Sequence, residues 1–328
     1  MVMAEGSPQK APVHSDLFAE VDWRDELERT WARKWGAMSE IGKLRMALVS
    51  RPTENEVHMP DVGREWVFGQ VELERMQKEH DQYVEILKSE GVEVAYMDVP
   101  AVAMGPYGRL RMLTYTHSIV IIDGGAILSR YGLAPWRRGT EVYQQRALAK
   151  LGCPILYQIH GKATLEFGGN MCWLDPKHMV IGIGPSSTLD GVEQVTPILK
   201  RAGVEEIHLA YFSDFMHLDL ILGIPDAWLA MVDPVRLNIH TIDYLKKKGF
   251  NILEVPDEEA RKQAINIVTL EPGKVIMPAG SPKTAAMLRE EGVDVIDSPF
   301  TEGAKQQSAA RCSTCDMIRD KGPFLPSS

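Results

Sequence analysis

Two hydrophobic periods alternate along this chain, and the switch between them recurs. In residues 170–184, NMCWLDPKHMVIGIG, two apolar runs flank the turn DPKH and read as a β-hairpin. Residues 188–203, TLDGVEQVTPILKRAG, follow with helical spacing and a terminal glycine, and 204–212, VEEIHLAYF, close as a β-branched strand. The same order returns in INIVTLEPGKVIMPAG, SPKTAAMLREEG and VDVIDSP near the C-terminus. Earlier, SIVIIDGGAILSR turns at Asp123-Gly124-Gly125 and is followed by GTEVYQQRALAKLG and PILYQIH. LDLILGIPDAWLAMV turns around Pro225-Asp226 and is followed by RLNIHTIDYLKKKG and FNILEVP. A first unit has RMALVSRP, the helix VELERMQKEHDQYVEILKSEG and VEVAYM, with the least clear hairpin of the five. The helices end at Gly91, Gly152, Gly203, Gly249 and Gly292, which suits a left-handed residue just past each C-terminus.

Five similar units in one chain point to radial repetition about an axis rather than to a doubly wound sheet. No G-x-G-x-x-G phosphate loop follows the first strand. Radial arrangement carries a chemical consequence, because residues at the ends of different units converge on one pocket. The expected organisation is a single catalytic α/β domain over 15–320, with loose tails at 1–14 and 321–328. An N-terminal helix capped by Ser15 would set Trp31 and Trp35 one turn apart, packed on the domain or on a second subunit.

Composition narrows the partners. A net charge of −9 over 328 residues repels phosphate backbones and anionic lipid, and KKK at 246–248 sits at a helix C-terminus, where cations suit the dipole. No apolar stretch reaches membrane-spanning length and no leader peptide is recognisable, so the expected location is cytoplasmic. Cys153, Cys172, Cys312 and Cys315 are too few and too irregular for a secreted disulfide framework, and reduced thiols are expected. The expected partner is a small molecule, not nucleic acid or a membrane span, with homo-oligomerisation left open.

The unusual polar residues fall where one unit ends and the next begins. TLEFGGN contains Glu166, which alone reads as a turn residue. DFMHLDL contains His217 and Asp219, two apart, which share a face if a strand starts there; a satisfied core histidine is an equal reading. After the last unit comes RCSTCD, with Cys312 and Cys315. A redox pair, half of a metal site, and a nucleophile beside a bystander are the readings these thiols leave open; a redox C-x-x-C is expected near an early helix N-terminus, and zinc needs two further ligands at suitable spacing.

Together, the acidic residue before GGN, M-H-L-D before an apolar strand, I-N-I-V-T-L with Asn266, and R-C-x-T-C-D resemble the guanidino-group modifying superfamily of arginine deiminases, dimethylarginine dimethylaminohydrolases and amidinotransferases. The resemblance covers roughly 36–320. It implies a five-bladed α/β propeller of the pentein type, needing neither metal nor cofactor. It also implies that Cys312 is the nucleophile, His217 the proton shuttle, Glu166 its partner carboxylate and Asp219 a ligand of substrate N–H groups, with Gly169 and Asn170 lining the site. A covalent S-linked intermediate would then meet water or an acceptor amine.

The pattern departs from the family in two places. His117 and Ser118 stand where the family has Arg-Asp, and Asn170 stands where an Asp often ends the E-G-G-D motif, with Phe167 inserted after Glu166. Each lost charged hydrogen bond would weaken a cationic guanidinium by roughly 1.5–3 kcal/mol in a dry site. A neutral planar substrate, with a carbon between two nitrogens as in a 2-nitroimidazole, escapes that loss, and His117 and Ser118 would then hydrogen-bond an uncharged group. The expected activity is a cysteine-dependent hydrolase of such carbons, guanidine and amidine substrates included. The alternatives are an amidinotransferase, which APWRR at 134–138 also fits, and a ligand-binding relative without catalysis. Arg138 is expected on the surface.

Overall fold

The computed structural model describes residues 21–57 and 69–325. The expected tail at 1–14, the Ser15 cap and the last residues of the C-terminal tail therefore lie outside the described residues.

Each repeat folds as one three-stranded sheet with a helix crossing between its second and third strands. In the third, Met171–Asp175 pairs antiparallel with His178–Ile183, helix Leu189–Arg201 crosses over, and Glu206–Tyr211 returns parallel to the second strand. The second uses Ile119–Ile122, Gly125–Leu128, helix Thr140–Leu151 and Ile155–Gln158. The fourth uses Leu222–Asp226, Leu229–Val232, helix Ile239–Lys247 and Asn251–Glu254. The fifth uses Val268–Glu271, Lys274–Pro278, helix Pro282–Glu290 and Asp294–Ser298. The middle strands are almost wholly buried, which explains their unbroken apolar runs, while the third strands are mostly half-buried or exposed. All five helix-ending glycines have positive φ, between 76° and 109°.

The first unit has an antiparallel pair where the others have a hairpin, and its partner strand comes from the other end of the chain. Cys315–Arg319 pairs antiparallel with Leu44–Val49, which runs parallel to Glu93–Tyr96, with helix Leu73–Ser89 between the last two. Five apolar clusters are each shared by two successive sheets, the fifth sheet packing on the first through Leu270, Ile276, Leu44 and Val49. Burial of that apolar surface supplies the main driving force for their association.

Three local expectations are corrected. The N-terminal segment makes a 3-10 turn, Trp23–Glu26, and one α turn, Leu27–Thr30, then leaves helical geometry. Trp35 is buried outside any helix, its indole N–H donating to the carbonyls of Trp31 and Gly152, and Trp31 is exposed, so the two do not share a helical stripe. In the fourth hairpin, Pro225 and Asp226 belong to the strand; the turn is at Ala227 and Trp228, the latter with φ 66°. Among the described residues no helix is long and apolar enough to cross a membrane.

Candidate active site

The first strand of each sheet is preceded by one polar junction, and these junctions meet. His117 stands two residues before Ile119, Asn170 directly before Met171, Asp219 three before Leu222, Asn266 two before Val268 and Cys312 three before Cys315. A ring nitrogen of His117, a carboxylate oxygen of Asp219 and Sγ of Cys312 all lie within 4.8 Å of one another. All three residues are buried. Neither His217 nor Asp219 is in a strand: His217 precedes a 3-10 turn, Leu218–Leu220, that carries Asp219. Leu218 between them is buried at 0% exposure, which pins the turn to the core.

Asn266 ties sulfur to carboxylate. Its Nδ2 donates to Asp219 Oδ2 at 3.0 Å and lies 3.3 Å from Cys312 Sγ, while its Oδ1 accepts from the Cys312 backbone N–H at 3.3 Å. Cys312 Sγ is also 3.6 Å from Asp219 Oδ2. Asp219 Oδ1 is buried with no partner among the described residues, leaving one acceptor free for a ligand N–H. Burial raises the Asp219 carboxyl to about 6, opposed by the charges of His217 and Arg311. Burial, then the Asp219 charge, pushes the Cys312 thiol well above its usual value, so the resting group is a thiol.

A second chain of contacts runs from Glu166. This carboxylate precedes the single helical turn Phe167–Asn170. Its Oε1 accepts from Gly132 N–H at 3.2 Å, and its Oε2 accepts from His217 Nε2 at 3.0 Å and Arg137 Nη1 at 3.1 Å. The contact with Glu166 engages Nε2 of the His217 ring and leaves Nδ1 outside it. A Cβ on Gly169 would stand 2.5 Å from His217 Cγ, so only glycine leaves room for the ring.

His117 has a fixed tautomer. Its backbone N–H and its Nδ1 both reach the Cys312 carbonyl, at 3.3 and 2.8 Å; a carbonyl only accepts, so Nδ1 carries the hydrogen and Nε2 the lone pair. Burial, reinforced by the positive charges of His217, Arg137 and Arg311, lowers its pKa well below the histidine range. The ring is neutral, and its centroid is 5.4 Å from that of His217.

Two other expected site residues are engaged elsewhere. Ser118 Oγ bonds the Tyr131 hydroxyl at 2.5 Å and accepts from Gln144 at 2.7 Å. Asn170 Oδ1 accepts from Leu218 N–H at 3.2 Å, and its Nδ2 donates to Ser186 and Ser187 at 2.8 Å. Ser186 donates its own hydrogen to the Met216 carbonyl, so its oxygen requires a donor, which an Asp at position 170 would not provide. Asn170 thus braces the turn that carries His217. Cys315 faces away from Cys312, in the apolar cluster with Cys153, Met317 and Ile119.

The sequence pattern of APWRR carries no claim for Arg137, and nothing in the sequence singles out Glu56. Arg138 is half-buried and donates to the Tyr131 carbonyl, whereas its neighbour Arg137 is 1% exposed and stacks 4.4 Å above the Tyr131 ring. Glu56 accepts from the backbone N–H groups of Leu113 and Thr114, and its Oε2 has no partner among the described residues. Burial raises its carboxyl to about 7 against those N–H groups and the Arg137 charge. A raised carboxyl contributes stability that is fully present below its unfolded value of about 4.3 and is lost as pH rises through the folded value. Glu56→Gln is therefore expected to match the native protein near pH 4.5 and to exceed it by about 3 kcal/mol at pH 8. Urea unfolding at both pH values measures this, and a pH-independent difference would contradict it.

A cavity of about 20 Å³ lies behind Asp219, lined by Glu40, Cys172, Thr269 and Arg311 among others, and is large enough for one water. A cleft of about 900 Å³ bordered by Arg51, Gln77, Tyr143 and Lys150 includes none of the residues above.

Sequence and structure comparisons agree on a family. A profile described as arginine deiminase matches residues 232–319. A 2-nitroimidazole nitrohydrolase of Mycobacterium sp. (strain JS330) is 26% identical over 340 residues, covering 93% of this chain and 88% of the relative. An N(G),N(G)-dimethylarginine dimethylaminohydrolase of Pseudomonas aeruginosa is 24% identical over 249 residues, covering 75% and 89%. The chain belongs to the guanidino-group modifying superfamily. An amidinotransferase of Microseira wollei superposes with a TM-score of 0.71 at 15% identity, over 89% of this chain and 99% of that one, a likeness of fold alone. Within this superfamily the named relatives include hydrolases acting on carbon–nitrogen bonds and an amidinotransferase.

Proposed function

We propose that this protein is a cysteine-dependent hydrolase of neutral planar substrates whose reacting carbon lies between two nitrogens, with 2-nitroimidazole as the type case. The observation that carries the reading is the neutral His117 against Cys312, where a cation-binding carboxylate is expected in the family. A guanidinium would there meet an uncharged ring, whereas an imidazole loses nothing. The first-named relative is a nitrohydrolase, which agrees. In this reading the five sheets are blades of one propeller domain, and their convergent junctions form the site.

The reaction balances without a redox step. The Cys312 thiol passes its proton to His217 as sulfur bonds C2; the bond from C2 to the nitro nitrogen breaks, and its electron pair leaves with nitrite. The proton goes to solvent. Water then gives a proton to His217 as its oxygen bonds C2, and the C2–sulfur bond breaks with its pair on sulfur, which regains that proton. Asp219 Oδ1 accepts the ring N–H and fixes C2 over sulfur. Glu166 orients His217.

The native protein incubated with 2-nitroimidazole, L-arginine, dimethylarginine, or a guanidine plus an amine acceptor is expected to release nitrite from the first and no ammonia, amine or new guanidine from the others. Ammonia, amine or amidino transfer without nitrite would overturn the reading.

A further inference from the structure

We propose that the free edge of Arg137 receives the departing group as an anion. The inference deepens the hydrolase reading and rests on it for the identity of the reaction. The guanidinium is 1% exposed, yet among the described residues only Nη1 has a hydrogen-bond partner, Glu166 at 3.1 Å, and Nε and Nη2 are buried with none. Five N–H donors in a rigid fork make such an edge a receptor for two acceptor atoms of a planar group. The guanidinium carbon lies over the Tyr131 ring, 4.4 Å from its centroid, and the Tyr131 hydroxyl is fixed by Ser118 and Gln144. Glu166 Oε2, which takes the Nη1 hydrogen bond, also accepts from His217 Nε2 at 3.0 Å, so Arg137 and the site imidazole meet on one carboxylate oxygen.

The chemistry selects a leaving group. Nitrite departs with the electron pair of the broken bond and becomes a stable planar anion, so a waiting cation stabilises the transition state as charge develops. Ammonia or an alkylamine departs as a neutral molecule after protonation and gains nothing from that cation. A guanidinium substrate would meet Arg137 as a like charge. The small class that fits both the edge and the carbon is an anion of a strong or moderately strong acid, nitrite first and halide second.

Two measurements test this. In the first, Cys312 of the native protein is alkylated with iodoacetamide at constant ionic strength with and without sodium nitrite, and labelling is read by peptide mass spectrometry. Nitrite is expected to slow Cys312 labelling severalfold and to leave Cys153 unaffected; no protection of the native protein overturns the proposal. In the second, Arg137→Lys keeps the charge on Glu166 and loses the fork. Its kcat for nitrite release is expected to fall about 100-fold with KM changed less than threefold, and nitrite protection to disappear. A kcat within threefold of native, or undiminished protection, overturns it. The first measurement needs neither turnover nor the variant. If native protein releases no nitrite from 2-nitroimidazole but nitrite still shields Cys312, the reaction assigned above fails while the anion receptor stands.

Discussion

Cys312→Ser is expected to lower nitrite release from 2-nitroimidazole by about 10³-fold or more and to abolish the covalent adduct at residue 312. A serine hydroxyl is a far weaker nucleophile at neutral pH. The resting thiol is already held protonated by burial and by Asp219, so the site has no activation to spare for a less acidic group. The fold should be retained, because the Cys312 backbone N–H stays on Asn266 Oδ1 and a hydroxyl finds Asn266 and Asp219 within reach. Unfolding free energy is expected within about 1 kcal/mol of native. Mass spectrometry of quenched turnover and urea unfolding read the two halves separately. Turnover near the native rate in a properly folded serine variant would remove sulfur from the mechanism.

The second large effect is structural. A Cβ added at Gly168 would lie 1.7 Å from the backbone oxygen of His117 and 2.6 Å from its carbonyl carbon. No rotamer relieves a clash with backbone, so the entry to strand Ile119–Ile122 must move. That entry holds the Cys312 carbonyl through both N and Nδ1 of His117. Gly168→Ala is expected to cost about 3 kcal/mol or more and to reduce activity in parallel, because the shift separates His117 from Cys312. Chemical denaturation and nitrite release measure it; a variant as stable and active as native would mean the two segments can part freely.

Much of the site was legible because each junction repeats a local signal. An apolar hairpin, a helix ending in glycine and a closing strand are short-range patterns, and Glu166, His217, Asp219 and Cys312 each interrupt one at a corresponding point. Their convergence follows from repetition. Arg137 was not legible, because two adjacent basic residues in the loop APWRR carry no local signal of which one turns inward. Only the three-dimensional course of that loop turns one inward to Glu166 and the other toward the Tyr131 carbonyl. Asn170 read as a lost carboxylate, and the direction of the Ser186 hydrogen bond explains the amide instead.

The sequence by itself determined the five units, their helix-ending glycines and the residue types at their junctions, since backbone conformation and burial period are encoded within a dozen residues. The tertiary structure alone decided how the first unit is completed. Its antiparallel partner, Cys315–Arg319, meets Leu44–Val49 across nearly the whole chain, with Leu44 opposite Arg319. Strand pairing over that separation leaves no local trace, because backbone hydrogen bonds carry no residue identity. That same closure delivers Cys312 to His117, so the reach of the thiol depends on a contact no window of sequence contains.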